Sequence, residues 1–364
     1  MHFKKPLFWD KKFSVWKYIY LPLSIIYFLL SKINFKKKHT IKDIFSICIG
    51  NIYLGGTGKT PTCILLKKNL EKLNIKSSFV KKKYPNQIDE QNLLRKYGDL
   101  FVNKNRLNGL ISSKEKGFKV AIFDDGLQDK SINYNLKIVC FSSENFIGNG
   151  NLIPSGPLRE KITAIKNCDA VFLNGLNFNN KKNIDKLKKV NPNISIFETI
   201  YKIKNNENLN RSSKYLIFAG IGNPINFFNL LNYNNIDVVK KIFYPDHYNY
   251  TKKDMDRIKN ISIKENLKII TTEKDYCRLS ESMRENINHI EVELLLKNEN
   301  EFISYLKRYR TGVITCDESC HDIYVSGSFQ INDPDHILHV LEKTRPINIE
   351  WRTRFWAKIS KKQA

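Results

Sequence analysis

One run of eleven residues, Gly50-Asn51-Ile52-Tyr53-Leu54-Gly55-Gly56-Thr57-Gly58-Lys59-Thr60, constrains this chain more than any other. The apolar stretch before it, residues 44–49, has the character of a buried strand. Residues 61–73 after it have the pattern of a helix with proline in its first turn. Strand, glycine turn and helix start, in that order, are the parts of a phosphate-binding loop. Glycines let backbone N–H groups converge on phosphate oxygens, and the helix N-terminus adds partial positive charge. Gly55, Gly56, Thr57, Gly58, Lys59 and Thr60 are therefore the expected nucleotide-binding residues, for a nucleotide triphosphate with Mg²⁺. Lys59 would reach the β- and γ-phosphates, and the Thr60 hydroxyl would ligate the metal. The usual spacing asks for glycine at position 53, where this chain carries Tyr53.

Further apolar strands are expected at residues 76–80, 119–126, 136–141, 170–173, 215–222 and 268–272, most of them separated by helical patterns. That alternation predicts an α/β fold: a P-loop NTPase-like, mostly parallel sheet with helices on both faces and two subdomains. The expected divisions are an N-terminal helical segment (1–40), a P-loop subdomain (41–190), a second α/β subdomain (191–310) and a small appended α/β module (311–364). In the module, a strand at 323–331, a helix at 333–343 and a strand pair at 347–359 are expected. It loosely resembles a domain of periplasmic iron-sensing regulators.

With 364 residues, 41% of them hydrophobic, the chain has ample material for a sizeable core. Its 61 basic and 36 acidic side chains leave a net charge of +25, which admits nucleic acid, anionic lipid or acidic substrates as partners. The lysines are scattered, however, and no aromatic-and-basic interleaving suits base stacking, so no nucleic acid is expected. A compositional bias toward Lys, Asn and Ile accounts for charge as well. The seven cysteines show no disulfide framework, as suits a reducing compartment. Cys316-x-x-x-Cys320-His321 has metal-like spacing, but no second ligand pair follows it.

Residues 18–30 are uncharged and apolar, with lysines on both sides. Thirteen residues fall short of the roughly 20 that a bilayer-crossing helix requires. Aromatic residues with flanking lysines suit a helix lying in the membrane interface against anionic headgroups. A buried core helix is the other reading; a signal peptide lacks its cleavage site.

Asp124-Asp125 ends an apolar strand 65 residues after Lys59, where an acidic residue completes the metal shell beside the Thr60 hydroxyl. Either carboxylate fits that role. The glycine- and proline-punctuated stretch from Gly148 to Glu160 presents Arg159, which suits a bidentate grip on phosphate or a surface ion pair. Tyr244-Pro245-Asp246-His247-Tyr248 sets a histidine beside a carboxylate, an arrangement open to proton transfer. Thr271-Thr272-Glu273-Lys274-Asp275 follows a strand with a burst of charge, as at the mouth of a sheet crevice.

Taken in order, these segments closely resemble the tetraacyldisaccharide 4'-kinase (lipid A 4'-kinase) family. The residues carrying the resemblance are the Gly50–Thr60 loop with Pro61, Asp124-Asp125-Gly126-Leu127-Gln128, and Gly150 to Glu160. Ala219-Gly220-Ile221-Gly222-Asn223-Pro224 with Phe227-Phe228, Tyr244 to Tyr248, and Thr272 to Tyr276 complete the set. The match covers roughly residues 10–307.

The resemblance implies transfer of the γ-phosphate of ATP to the 4'-hydroxyl of a tetraacyldisaccharide 1-phosphate lipid A precursor. It places the enzyme peripherally on the cytoplasmic face of the inner membrane, bound to its anionic surface, and implies no protein partner. The family's catalytic Asp lies in a Gly-Asp-Glu-Pro segment, matched here by Ile88-Asp89-Glu90-Gln91, so Asp89 with His247 is the implied catalytic pair. Thr60, Asp124 and Asp125 are the implied metal residues; Tyr84, Arg106, Gln128 and Arg159 are candidate substrate contacts. The family's loop likewise lacks the first glycine. In other places the chain departs from it: Lys81-Lys82-Lys83-Tyr84 replaces an Arg-Gly-Tyr-Gly segment, and Asp129 replaces a histidine. Two alternatives stand beside this reading: another P-loop ATPase or GTPase, or a catalytically silent, membrane-bound nucleotide-binding relative.

Overall fold

The apolar runs flanking the phosphate loop form strand and helix, β1 (Phe45–Gly50) and α3 (Lys59–Lys72), in a computed structural model of the chain. It describes residues 5–11, 13–32, 38–84, 87–205, 207, 209–307, 313–320, 323, 334–353 and 356–362. Two short helices, α1 (Val15–Ile19) and α2 (Leu21–Lys32), come first. After α3 come β2 (Ser77–Lys82), α4 (Ile88–Arg95), β3 (Leu100–Asn103), α5 (Arg106–Glu115), β4 (Val120–Asp124), β5 (Leu136–Ser142), β6 (Ala170–Gly175), α6 (Lys181–Val190) and β7 (Ser195–Ile203). The chain continues through β8 (Tyr215–Ala219), α7 (Pro224–Tyr233), β9 (Val238–Phe243), α8 (Lys252–Lys264), β10 (Lys268–Thr272), α9 (Glu273–Arg278), β11 (Ile287–Ile290) and β12 (Val292–Leu296).

Residues Met1–Lys297 form one compact unit. Its larger sheet has the order β12-β7-β6-β5-β1-β4-β2-β3, parallel throughout except for the antiparallel pairing of β12 with β7. The central strands β1, β4 and β6 are buried at every residue, as expected of parallel strands covered on both faces. A smaller, fully parallel sheet runs β11-β10-β8-β9. Strands β7 and β12 flank this smaller sheet in sequence yet join the larger one, so the chain leaves the first sheet after Ile203 and returns at Val292. The division expected near residue 190 thus falls ahead of a strand that pairs with β6.

The α2 helix is largely apolar on both its inward and its outward face. Its inward face carries Ser24, Tyr27 and Phe28, at the i, i+3, i+4 spacing of one helical stripe, with Tyr27 and Phe28 against Tyr53, Leu152 and Leu158. Leu21, Leu23, Ile25, Ile26, Leu29 and Leu30 face outward, as do Val15, Trp16, Tyr18 and Ile19 of α1. No described helix is long and apolar enough to cross a membrane.

Residues Asn298–Ala364 form a second unit: α10 (Glu299–Lys307), β13 (Val313–Cys316), α11 (Pro334–Thr344), β14 (Ile347–Thr353) and β15 (Trp356–Lys361), with strand order β13-β15-β14. The helix and the final strand pair stand where the sequence places them. The strand expected at 323–331 lies, apart from Ile323, outside the described residues, as does His321 of the cysteine–histidine cluster.

Candidate active site

The turn between β1 and α3 is braced before any ligand arrives. Asn51 donates from Nδ2 to the Thr57 hydroxyl at 3.0 Å, and Asn174 at the end of β6 donates to the Thr57 carbonyl at 2.8 Å. Gly58 has φ +81° and directly precedes the helix; a Cβ there would sit 2.4 Å from the Tyr201 hydroxyl and 2.6 Å from Asn174 Nδ2. Only glycine fits both the backbone and the space. Tyr53, the departure from the usual spacing, is buried in the cluster of Leu152 and Leu158 that receives Tyr27 and Phe28 of α2. Its hydroxyl donates to Asp10 at 3.3 Å. The side chain in place of the first glycine therefore ties the loop's outer flank to the N-terminal helices.

The two carboxylates ending β4 diverge. Asp124 is buried and accepts from the Thr60 hydroxyl at 3.1 Å and from the Lys81 ammonium at 2.6 Å, both on Oδ2. Its other oxygen, Oδ1, is buried with no hydrogen-bond partner. Asp125 has φ +60° and lies 3.6 Å from Lys59 and 3.1 Å from Arg159. Burial opposes its charge, but Lys59, then Arg159, Lys81 and Arg106 outweigh burial and hold its carboxyl at about 2. An unpartnered carboxylate oxygen beside a threonine hydroxyl suits a divalent cation. No group of three or more His, Cys, Asp or Glu side chains that could hold a metal occurs among the described residues. A cation at Thr60 and Asp124 would therefore take the rest of its shell from nucleotide phosphate and water.

Asp89, in the first turn of α4, meets residues of the smaller sheet. His247 Nδ1 lies 3.3 Å from its Oδ1, and Arg278 Nη2 lies 2.5 Å from its Oδ2. Arg278 also donates to the Gly220 carbonyl at 2.7 Å and to Asp275 at 2.9 Å. Burial raises the cost of ionising Asp89, but the His247 hydrogen bond and the charges of Lys274 and Arg278 prevail, leaving it at about 2. For His247, burial favours the neutral ring; the bond to Asp89 and the Asp246 charge prevail and raise its pKa. His247 itself has φ +57°, an uncommon conformation for a non-glycine residue and one that gathers at functional sites.

One chain of ion pairs joins these two centres. The Lys81 ammonium is 2.7 Å from Glu90 Oε2, and Lys274 is 2.6 Å from Glu90 Oε1. Glu90 adjoins Asp89, so a path runs Thr60, Asp124, Lys81, Glu90, Lys274 from the phosphate loop toward Asp89 and His247, buried as far as Lys81 and half-buried beyond it.

Beside the loop lies a cavity of ≈ 440 Å³ whose lining includes Tyr84, Arg106, Gln128 and Arg159, the four substrate candidates, together with Lys82 and Asp125. Arg106 is committed in part to the frame: it donates to the Asp125 carbonyl and lies 3.1 Å from Asp129. The acid in place of the family's histidine thus serves as that arginine's counterion. Gln128 donates to the Asn51 carbonyl and to Glu160, at 2.9 Å each, and accepts from Arg159 at 3.3 Å.

Residues 16–310 match the family described as Tetraacyldisaccharide-1-P 4'-kinase (LpxK). A tetraacyldisaccharide 4'-kinase of Pelagibacter ubique (strain HTCC1062) is 47% identical over 311 residues, 84% of this chain and 98% of that protein. The chain belongs to the tetraacyldisaccharide-1-phosphate 4'-kinase family. A second such kinase, from Rickettsia canadensis (strain McKiel), is 33% identical over 81% of this chain and 94% of its own length. A crystal structure of LpxK from Aquifex aeolicus in complex with ATP shares the fold, with TM-score 0.59 at 20% identity, over 80% of this chain and 99% of that one.

The 4'-kinase fold therefore brings together the residues that the sequence scatters. Lys59, Thr60, Asp124 and Asp125 converge at one end of the sheet, Asp89 meets His247, and the four substrate candidates share one cavity. Sequence reasoning passed over Glu90, Lys274 and Arg278. Lys274 lay in the flagged charge burst after β10, but nothing in the order of residues says that it reaches across to α4.

Proposed function

We propose that this chain transfers the γ-phosphoryl group of ATP to the 4'-hydroxyl of a tetraacyldisaccharide 1-phosphate at the cytoplasmic face of the inner membrane. Family membership supports the reaction class, and the Aquifex relative was crystallised with ATP. The observation that carries the reading is the meeting of Asp89 and His247 at the end of the ion-pair path from the phosphate loop.

In this reading the phosphate loop holds the triphosphate, and Lys59 neutralises charge at its β- and γ-oxygens. Thr60 and Asp124 hold Mg²⁺, with Asp125 beside Lys59; the ion supplies charge neutralisation at the transferring phosphoryl group. Asp89 accepts the proton of the attacking hydroxyl. A carboxylate held at about 2 is a weak base, which a loose, metaphosphate-like transition state tolerates because little covalent work falls on the protein. His247 and Arg278 fix its orientation. Tyr84, Arg106, Gln128 and Arg159 line the cavity proposed for the acceptor's polar headgroup.

The outward apolar faces of α1 and α2 bed in the membrane interface, with nearby lysines attracted to anionic lipid. Helix α2 and the turn before α1 are clamped to the loop that carries Arg159. Ser24 donates to the Leu152 carbonyl at 2.9 Å, Trp9 Nε1 to Pro154 at 2.9 Å and the Tyr27 hydroxyl to the Arg159 carbonyl at 3.0 Å.

The test is an assay of the full chain with labelled ATP, Mg²⁺ and detergent-dispersed disaccharide 1-phosphate. The expected product is the 1,4'-bisphosphate. Hydrolysis of ATP at a rate indifferent to the lipid acceptor, with no phosphorylated lipid, would instead identify a nucleotide-hydrolysing switch.

A further inference from the structure

Lys81 is the feature that the reaction does not use. Its side chain is 2% exposed at the end of β2, and its ammonium lies 2.6 Å from Asp124 Oδ2 and 2.7 Å from Glu90 Oε2. The same Asp124 oxygen accepts from Thr60, so the ammonium stands within the two-residue set proposed for the divalent cation. Asp124 Oδ1, meanwhile, is buried and unpartnered. One carboxylate therefore offers a cation a free oxygen while its other oxygen already carries a positive charge.

We propose that Lys81 is a built-in counterion that keeps divalent metal off Asp124 until a nucleotide triphosphate arrives. This rests on reading Asp124 as the metal-facing carboxylate. With the ammonium in place, the net charge of the Asp124–Lys81 pair is zero, and a divalent ion approaching Oδ1 meets a like charge a few ångströms away in a low-dielectric setting. The free oxygen alone does not offset that repulsion together with the loss of hydration that a small, strongly hydrated ion resists. A bound triphosphate adds several negative charges at the same place and reverses the balance, so metal enters with nucleotide rather than ahead of it. The second contact of the ammonium makes the arrangement more than a local ion pair. Glu90 offers Lys81 an alternative partner, itself neutralised by Lys274, so the ammonium can shift its weight to Glu90 as metal claims Asp124. Lys81 is in this sense a positioning residue for the metal, and it links metal entry to the helix turn that carries Asp89.

Mn²⁺ serves as the probe, because it prefers oxygen ligands and its free and protein-bound forms are read directly by electron paramagnetic resonance. Titrations use the full chain without nucleotide or lipid. Lys81→Met and Lys81→Gln, which remove the charge, are expected to bind Mn²⁺ about tenfold tighter than the unaltered protein or more. Lys81→Arg, which keeps the charge, is expected to bind as weakly as the unaltered protein. Adding Asp124→Asn to Lys81→Met is expected to abolish the gain, which places the new affinity at that carboxylate. Equal affinity in the neutral variants and the unaltered protein overturns the proposal. If the neutral variants do not fold, the unaltered protein still decides: saturable nucleotide-free Mn²⁺ binding that disappears in Asp124→Asn overturns it, and the lack of such binding supports it. No outcome depends on phosphoryl transfer, so failure of the kinase reading and failure of this one are told apart.

Discussion

His247 Nδ1 lies 3.3 Å from Asp89 Oδ1, although 158 residues separate the two in the chain. Asp89 lies in the first turn of α4, between β2 and β3 of the larger sheet, and His247 stands in the turn after β9 of the smaller one. The pair exists only where the two sheets meet, and Arg278, bonded to Asp89 at 2.5 Å and to the Gly220 carbonyl at 2.7 Å, holds that meeting in place.

Replacing either member should affect the chemical step. Asp89→Asn and His247→Gln are each expected to lower kcat by about 10²–10⁴, the usual contribution of a positioned proton acceptor. KM for ATP should change little, because neither side chain touches the phosphate loop. The double variant should fall near the worse single variant rather than to the product of both losses, since the two act as a unit. Steady-state phosphorylation of the lipid acceptor measures all three.

The pair also sets a pH dependence. His247 has a raised pKa, so the fold favours its protonated form, and the neutral ring appears only above the ordinary imidazole value of about 6.5. While His247 is protonated, its charge holds Asp89 low and weakly basic; losing that proton makes the carboxylate a better acceptor. Turnover should therefore rise with pH through the His247 titration, and His247→Gln should lose that limb. The stability contribution runs the other way. It is full below the unfolded-state pKa and is lost as pH rises through the raised folded value. A pH–rate profile beside a pH series of thermal melts separates the two effects.

Gly58→Ala should disable the phosphate loop. Its φ of +81° costs a non-glycine residue about 1–3 kcal/mol, and the new methyl group would sit 2.4 Å from the Tyr201 hydroxyl and 2.6 Å from Asn174 Nδ2. Because Asn174 also braces Thr57, relief of the clash would loosen the turn itself. The expected result is a melting temperature lowered by several degrees and nucleotide affinity lowered at least tenfold, by thermal shift and calorimetric titration.

Charging the outward face of α2 should release the protein from lipid without disturbing the nucleotide end. Ile25→Asp and Leu29→Asp remove apolar area worth about 1.5–3 kcal/mol each when buried in the interface. Both are exposed in the structure, so the fold should tolerate them. Co-sedimentation with anionic vesicles is expected to drop at least tenfold per substitution, while affinity for ATP is retained. Raising the salt concentration should weaken the unaltered protein's binding too, through screening of the lysines.

How much of this was legible in advance depends on how local each signal is. β1, the glycine turn and α3 could be read directly, because a continuous apolar run, a glycine cluster and a helical pattern are short-range properties. The strands β3 and β9 were not, since β3 is only half-buried and β9 alternates between exposed and half-buried. Strands β7 and β12 carry no local mark of which sheet they join; that depends on where the chain returns. In the site, Lys59, Thr60, Asp124 and Asp125 were legible from spacing, His247 from the carboxylate beside it, and Asp89 only from resemblance to a family.

The sequence by itself determined that a nucleotide loop exists, that an acidic pair follows it, and to which family the chain is similar, since these are carried by residue order. The tertiary structure alone decided the partners. It put Tyr53 under the N-terminal helices, turned the apolar face of α2 outward, and set Lys81 between Asp124 and Glu90. Charge pairing and burial depend on distance in space, and residues as far apart in sequence as Asp89 and Arg278 become neighbours only when the helices that carry them, α4 and α9, pack against each other.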